Sequence, residues 1–190
     1  MTRRRGGFTL FETLVALAVL SLLGVALVNV LSAGRTVQRG SSERLELHQR
    51  VRETSRRLIP LLAAAVPPTM TQRAVYSPDL GQTAEEILFS TMDDFLGSSA
   101  PSVDQRYLYR IRRIDLEVVL ERMNGEDIDE SVPPQVLARR IYGLEFRLES
   151  PRMVHWEVES RTSFRDAANQ VKLVPYRLRG AVEIPYYSYR

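Results

Sequence analysis

The chain contains no cysteine. No disulfide can brace it and no thiolate can hold a metal, so a folded portion must stand on its own core. Histidine is nearly missing too, with only His48 and His155 in distant segments. That leaves little material for an imidazole metal cluster or a serine-type triad. Lysine is reduced to Lys172, every other basic side chain being arginine, and Trp156 is the single tryptophan. Arginine suits bidentate pairing with carboxylates at protein interfaces.

Charge of one sign is also scarce. The formal excess of +3 among 190 residues is accounted for by Arg3, Arg4 and Arg5, and without them acidic and basic side chains balance. The balance removes net charge as an argument for nucleic acid. After Glu12 no charged residue occurs until Arg35. Residues 8–31 as a helix reach about 36 Å, enough to cross a hydrocarbon core of about 30 Å. Leu10, Phe11, Leu14, Val15, Leu17, Leu20, Leu23, Leu27 and Leu31 occupy every face, which excludes an ordinary one-sided core helix. The three arginines ahead of the segment predict a cytoplasmic amino terminus. A cleaved secretory signal fits poorly, since Leu31-Ser-Ala33 lacks a small residue two places before the cut. In a twin-arginine signal the apolar residues would stand nearer the arginine pair than Phe8 does. A plain signal anchor explains neither Gly7 nor Glu12.

The order of parts is a short basic leader, Gly7, Phe8, Glu12 four residues further on, and a long apolar run. Gly7-Phe8-Thr9-Leu10-Phe11-Glu12 resembles the prepilin-type processing site of type IV pilins and of the pseudopilins of type II secretion. The resemblance implies cleavage between Gly7 and Phe8 by a prepilin peptidase and methylation of the new Phe8 amine. It also implies an assembly role for Glu12. The chemistry agrees: glycine lets extended backbone lie close against a peptidase. A carboxylate inside a bilayer costs about 2.5 to 3.5 kcal/mol at the helix centre, so Glu12 invites a cation such as a neighbour's Phe8 amine.

Beyond the membrane segment, Leu47, Val51, Leu58 and Leu62 recur as one apolar helical stripe among Glu43, Arg44, Glu46, Arg50, Arg52, Glu53, Arg56 and Arg57. Pro60 is expected to kink or end that helix, and Pro67-Pro68 to stop it. From Thr69 to Pro101 the composition predicts loops around one edge strand at Ile87-Leu-Phe89. Alternation at Tyr107, Tyr109 and Ile111, then at Ile114, Leu116, Val118 and Leu120, predicts half-buried strands before an Asn124-Gly125 turn. Leu144, Phe146 and Leu148, a Ser150-Pro151 turn and residues 153–158 predict a hairpin. Residues 171–178 and 181–187 predict a second hairpin turning at Arg179-Gly180. The expected fold class is α+β, a long amino-terminal helix packed on an antiparallel β-sheet domain. The expected organisation is a leader at 1–7, a transmembrane half-helix at 8–31, a periplasmic half-helix at 32–66 and a periplasmic β-rich domain at 67–190.

Within the pilin-like family, residues 45–66, ending Ala64-Ala-Val-Pro-Pro68, and the segment 137–148 look like the J-type minor pseudopilin of type II secretion. That resemblance implies a structural subunit at the tip of a periplasmic pseudopilus, anchored once in the bacterial inner membrane. Its implied partners are other minor pseudopilins, the major pseudopilin, the prepilin peptidase and inner-membrane lipid. A minor pilin of a type IV or DNA-uptake pilus shares the same plan, and a membrane-anchored periplasmic binding domain is the reading from another class.

No catalytic residue, cofactor, metal site, nucleic acid or small-molecule substrate is expected. Asp127, Asp129 and Glu130 do not follow the spaced loop that calcium takes, so they predict a solvated acidic turn. Glu157 and Glu159 share a strand face without further support for a glycosidase pair. Arg50, Arg52, Arg56 and Arg57 interleave with glutamates, the pattern of a solvated helix face rather than a nucleic-acid patch. Trp156, Tyr186, Tyr187 and Tyr189 are expected to serve packing.

Overall fold

The computed structural model describes residues 10–67, 73–97, 106–165 and 170–185. The chain forms two compact units, residues 1–43 and 44–190. One helix, α1 (Leu10–Ala63), enters both.

In the second unit, the expected apolar stripe is the buried side of α1: Leu47, Val51, Leu58 and Leu62 are all buried. Thr54 and Ser55 are buried among them, and their hydroxyls donate to the carbonyls of Arg50 and Val51 at 2.8 Å. This back-bonding leaves neither hydroxyl unsatisfied in the core. Outside the core, Glu46–Arg50 and Glu53–Arg57 close i,i+4 ion pairs at 2.6 and 2.7 Å, glutamate first, the orientation that supports a helix. Pro60 neither ends nor visibly interrupts α1, which continues to Ala63. The correction has a simple cause. Pro60 stands in the last turn, where its missing amide removes one bond, while burial of Leu61 and Leu62 holds the turn in place.

Among the described residues of this unit ten strands follow: β1 (Val75–Ser77), β2 (Thr83–Ala84), β3 (Glu86–Thr91), β4 (Tyr107–Ile114), β5 (Glu117–Asn124), β6 (Asp127–Ile128), β7 (Gln135–Arg139), β8 (Gly143–Ser150), β9 (Met153–Arg165) and β10 (Val171–Glu183). One antiparallel sheet runs β1-β3-β4-β5-β6, with β7 also paired to β5. The other runs β10-β9-β8-β2. Both sheets contribute to a single core with α1: Phe89, Tyr109, Ile111 and Leu120 from the first and Leu144, Phe146, Leu148 and Val158 from the second meet Val51, Leu58 and Leu62. The arrangement is α+β, a long helix packed on antiparallel sheets.

Three strand expectations change. Ile87-Leu-Phe89 is not an edge: β3 lies between β1 and β4, and Ile87 and Phe89 are fully buried. The cover comes from β1, whose three residues carry too little periodicity to be recognised. The alternation through 114–120 hides a turn at Asp115-Leu116, where Ile114 pairs with Glu117. Asp115 takes a left-handed φ of 53°, which aspartate tolerates better than most side chains, and Arg113 Nη1 donates to its carbonyl at 2.5 Å. Finally, Arg179-Gly180 is no turn, because Val171 to Glu183 is one continuous strand along β9. Gly180 pairs with Trp156, and a Cβ there would stand 2.2 Å from the indole Cζ2. The glycine makes room for a ring.

Candidate functional site

The amino-terminal segment is where the sequence concentrates its chemistry. Gly7 and Phe8 lie outside the described residues, and Glu12 stands exposed in the first turn of α1. From Leu10 to Leu31 the large apolar side chains face outward, with Leu10 84 % and Leu22 72 % exposed. The stretch is long and apolar enough to cross a membrane, and none of it is buried within the chain. So much apolar surface needs lipid or neighbouring helices around it. Its hydroxyls suit that environment: Thr13 donates to the Leu10 carbonyl, Ser21 to Leu17 and Ser32 to Asn29, each at 2.8 Å. Polar groups satisfied within their own helix can sit in hydrocarbon. The segment has the character of a single membrane anchor.

In the second unit several carboxylates of the sheets are engaged by arginines. Glu159 is buried, accepting from Arg161 Nε and Arg177 Nε at 2.5 Å each. Burial pushes its carboxyl up, but the two guanidinium groups outweigh that and hold it below the ordinary range. Glu157, on the same face, accepts from Arg179 at 2.6 Å. Two carboxylates each closed by arginine make an ion-paired strand face. Glu121 is clamped the same way between Arg110 and Arg112, at 3.0 Å from each.

Asp129 accepts from Arg122 at 2.8 Å and from the Ser131 amide, so this acidic turn is organised by protein donors. Among the described residues no group of three or more His, Asp or Glu side chains could hold a metal ion. His48 stacks on Tyr176, ring centroids 3.9 Å apart, and His155 meets Glu149. Trp156 is buried in the core, whereas Tyr186, Tyr187 and Tyr189 lie outside the described residues.

The four helix arginines separate into two kinds. Arg50 and Arg57 are tied down by Glu46 and Glu53, and Arg57 Nη1 also donates to the Leu137 carbonyl at 2.8 Å. Arg52 and Arg56 are exposed and have no hydrogen-bond or ion-pair partner among the described residues.

One polar cluster has no signature in the sequence. Asp94 Oδ1 accepts from the Tyr109 hydroxyl at 2.7 Å and from the Gly97 amide at 2.8 Å, while Oδ2 lies 3.6 Å from Arg122. Burial pushes the Asp94 carboxyl up, yet the Tyr109 hydroxyl, the Gly97 and Leu96 amides and Arg122 together bring it below its ordinary value. The same burial and the adjacent carboxylate push the Tyr109 phenol up. Positions 94, 109, 122 and 129 have no common spacing, so only the β4–β5 pairing and the loop after β3 bring them together. The cluster ties that loop onto the sheet.

The curated proteins and the solved structures give no match to this chain. Residues 2–28, which include Gly7, Phe8 and Glu12, match the family model described as the prokaryotic N-terminal methylation motif, and the chain therefore carries a type IV pilin-like prepilin signal.

Proposed function

We propose that this protein is a minor pseudopilin, a structural subunit at the tip of a type II secretion pseudopilus that helps export folded proteins from the periplasm. The observation that carries the reading is the methylation motif at residues 2–28, which overlaps a stretch of helix without charge from Thr13 to Gly34. The prepilin peptidase cuts between Gly7 and Phe8, and the Phe8 amine is then methylated. Residues 8–31 join the helical core of the filament, where Glu12 meets the Phe8 amine of a neighbour. Two charges that are costly apart in hydrocarbon are neutralised together, which registers one subunit on the next. The amino terminus begins on the cytoplasmic side of the inner membrane and the sheet-bearing unit works in the periplasm. Its work is packing against other minor pseudopilins and the major pseudopilin, not catalysis.

The test compares proteins in the culture medium and periplasm of wild-type and deletion strains. Exoproteins that leave the medium and accumulate in the periplasm support the secretion role. An unchanged medium together with loss of surface pili would instead assign the chain to a type IV or DNA-uptake pilus.

A further inference from the structure

On the side of α1 opposite its buried stripe, Leu45, Gln49, Arg52, Arg56 and Ile59 follow one another at spacings of four, three, four and three, the seam of a coiled coil. At about 100° per residue they fall on one narrow face. Leu45 is 63 % exposed and Ile59 43 % exposed, so the seam has an apolar residue at each end. Between them stand Arg52 and Arg56, neither with a partner among the described residues. On the flank, Arg50 and Arg57 are already neutralised by Glu46 and Glu53. Open cation capacity is thus concentrated along the middle of the seam.

Resting on the pilin-like reading above, we propose that this face docks an amphipathic helix of a different subunit. That helix carries apolar residues opposite Leu45 and Ile59 and two carboxylates, three or four residues apart, opposite Arg52 and Arg56. Helical rise puts the two apolar ends about 21 Å apart, so a partner helix of about fifteen residues spans the seam. A second copy of this chain is the wrong occupant, because pairing the face with itself brings arginines against arginines, and like charges across an interface are costly. Nucleic acid is also a poor occupant, since Glu46 and Glu53 border the same cations. The outcome is directional: apolar ends supply contact and the central charges choose the partner.

The test places the photoreactive amino acid benzoylphenylalanine at Gln49 of the full chain in its own cells, and the crosslinked segment is identified by mass spectrometry. The expected product joins Gln49 to an acidic amphipathic helix of another pilin-like subunit. In R52E/R56E the crosslink should fall by about tenfold, R52K/R56K should keep it, and arginines placed at the partner's two carboxylates should restore it in R52E/R56E. Both substituted positions are exposed, and an unchanged melting temperature of R52E/R56E separates lost docking from lost folding. A crosslink to a second copy, to lipid or nucleic acid, or one indifferent to R52E/R56E overturns the proposal. Amino-terminal sequencing is run on the same material. A chain that starts at Phe8 but lacks the charge-dependent crosslink fails this inference alone, whereas a chain never cut at Gly7 fails the pilin-like reading beneath it.

Discussion

Two carboxylates show how differently an acid is used in this chain. Glu12 sits just ahead of a stretch of helix without charge from Thr13 to Gly34, whose outward-facing apolar side chains need lipid or neighbouring helices around them. Its proposed use is assembly, so Glu12→Ala should leave cleavage after Gly7 intact while weakening incorporation into filaments. Sheared-filament fractions and amino-terminal sequencing measure the two separately, and wild-type incorporation of the variant would sink the charge-pairing role. Asp94 is the opposite case, a carboxylate buried beside the sheet and surrounded by donors. Asp94→Ala removes the acceptor of the Tyr109 hydroxyl proton and leaves Arg122 with Asp129 as its remaining carboxylate, so the loss expected is about 1 to 3 kcal/mol. Denaturant unfolding checks it. A change within the usual scatter of surface substitutions, about 0.5 kcal/mol, would mean the cluster is ornamental.

Among the elements, β10 carries the clearest consequence of a single missing side chain. Gly180 lies beneath the indole of Trp156, so Gly180→Ala forces the ring or the strand to move and should cost about 1 to 3 kcal/mol. The cost should largely disappear when Trp156→Leu is present, because the atom that clashes is then gone. A double-mutant cycle in thermal unfolding checks the coupling, and simple additivity would show that the glycine serves something else. The same strand explains where sequence reading fails. Arg-Gly between two apolar runs has the look of a turn, since glycine permits turns, but here it permits a neighbour's ring. The helix was legible because Leu47, Val51, Leu58 and Leu62 have only one periodic interpretation. The β8–β9 hairpin was legible because Ser150-Pro151 interrupts two clean alternations. The turn at Asp115 was not, since its local chemistry lacks the glycine or asparagine that usually marks a left-handed residue, and β1 was too short to show a period.

At the scale of the whole molecule, the site proposed for processing and assembly was read from residue order alone, because a membrane segment writes its requirements in consecutive residues. The polar contacts of the sheets were not, because they join residues far apart in sequence: Glu159 to Arg177, and Asp94 to Tyr109 and Arg122. Those contacts are expected to govern the acid response of the fold. Both Asp94 and Glu159 have carboxyls held below their ordinary values, 3.8 and 4.5, in the folded chain. As pH falls through this region the unfolded chain takes up protons first, so the derivative of stability with pH is positive there. The contribution is therefore complete above the unfolded values, unchanged from neutral pH down to about 5.5, and lost as pH drops through the lower folded values. Trp156 is the single tryptophan and buried, so its fluorescence reports unfolding of the sheet-bearing unit directly. Stability of the full chain in detergent should decline steeply below about pH 4, and the combined variant D94N/E159Q, weaker at neutral pH, should show a shallower acid limb. An identical acid limb in the variant would place the responsible carboxylates elsewhere, and Asp129, also held low by Ser131 and Arg122, would be the next to replace.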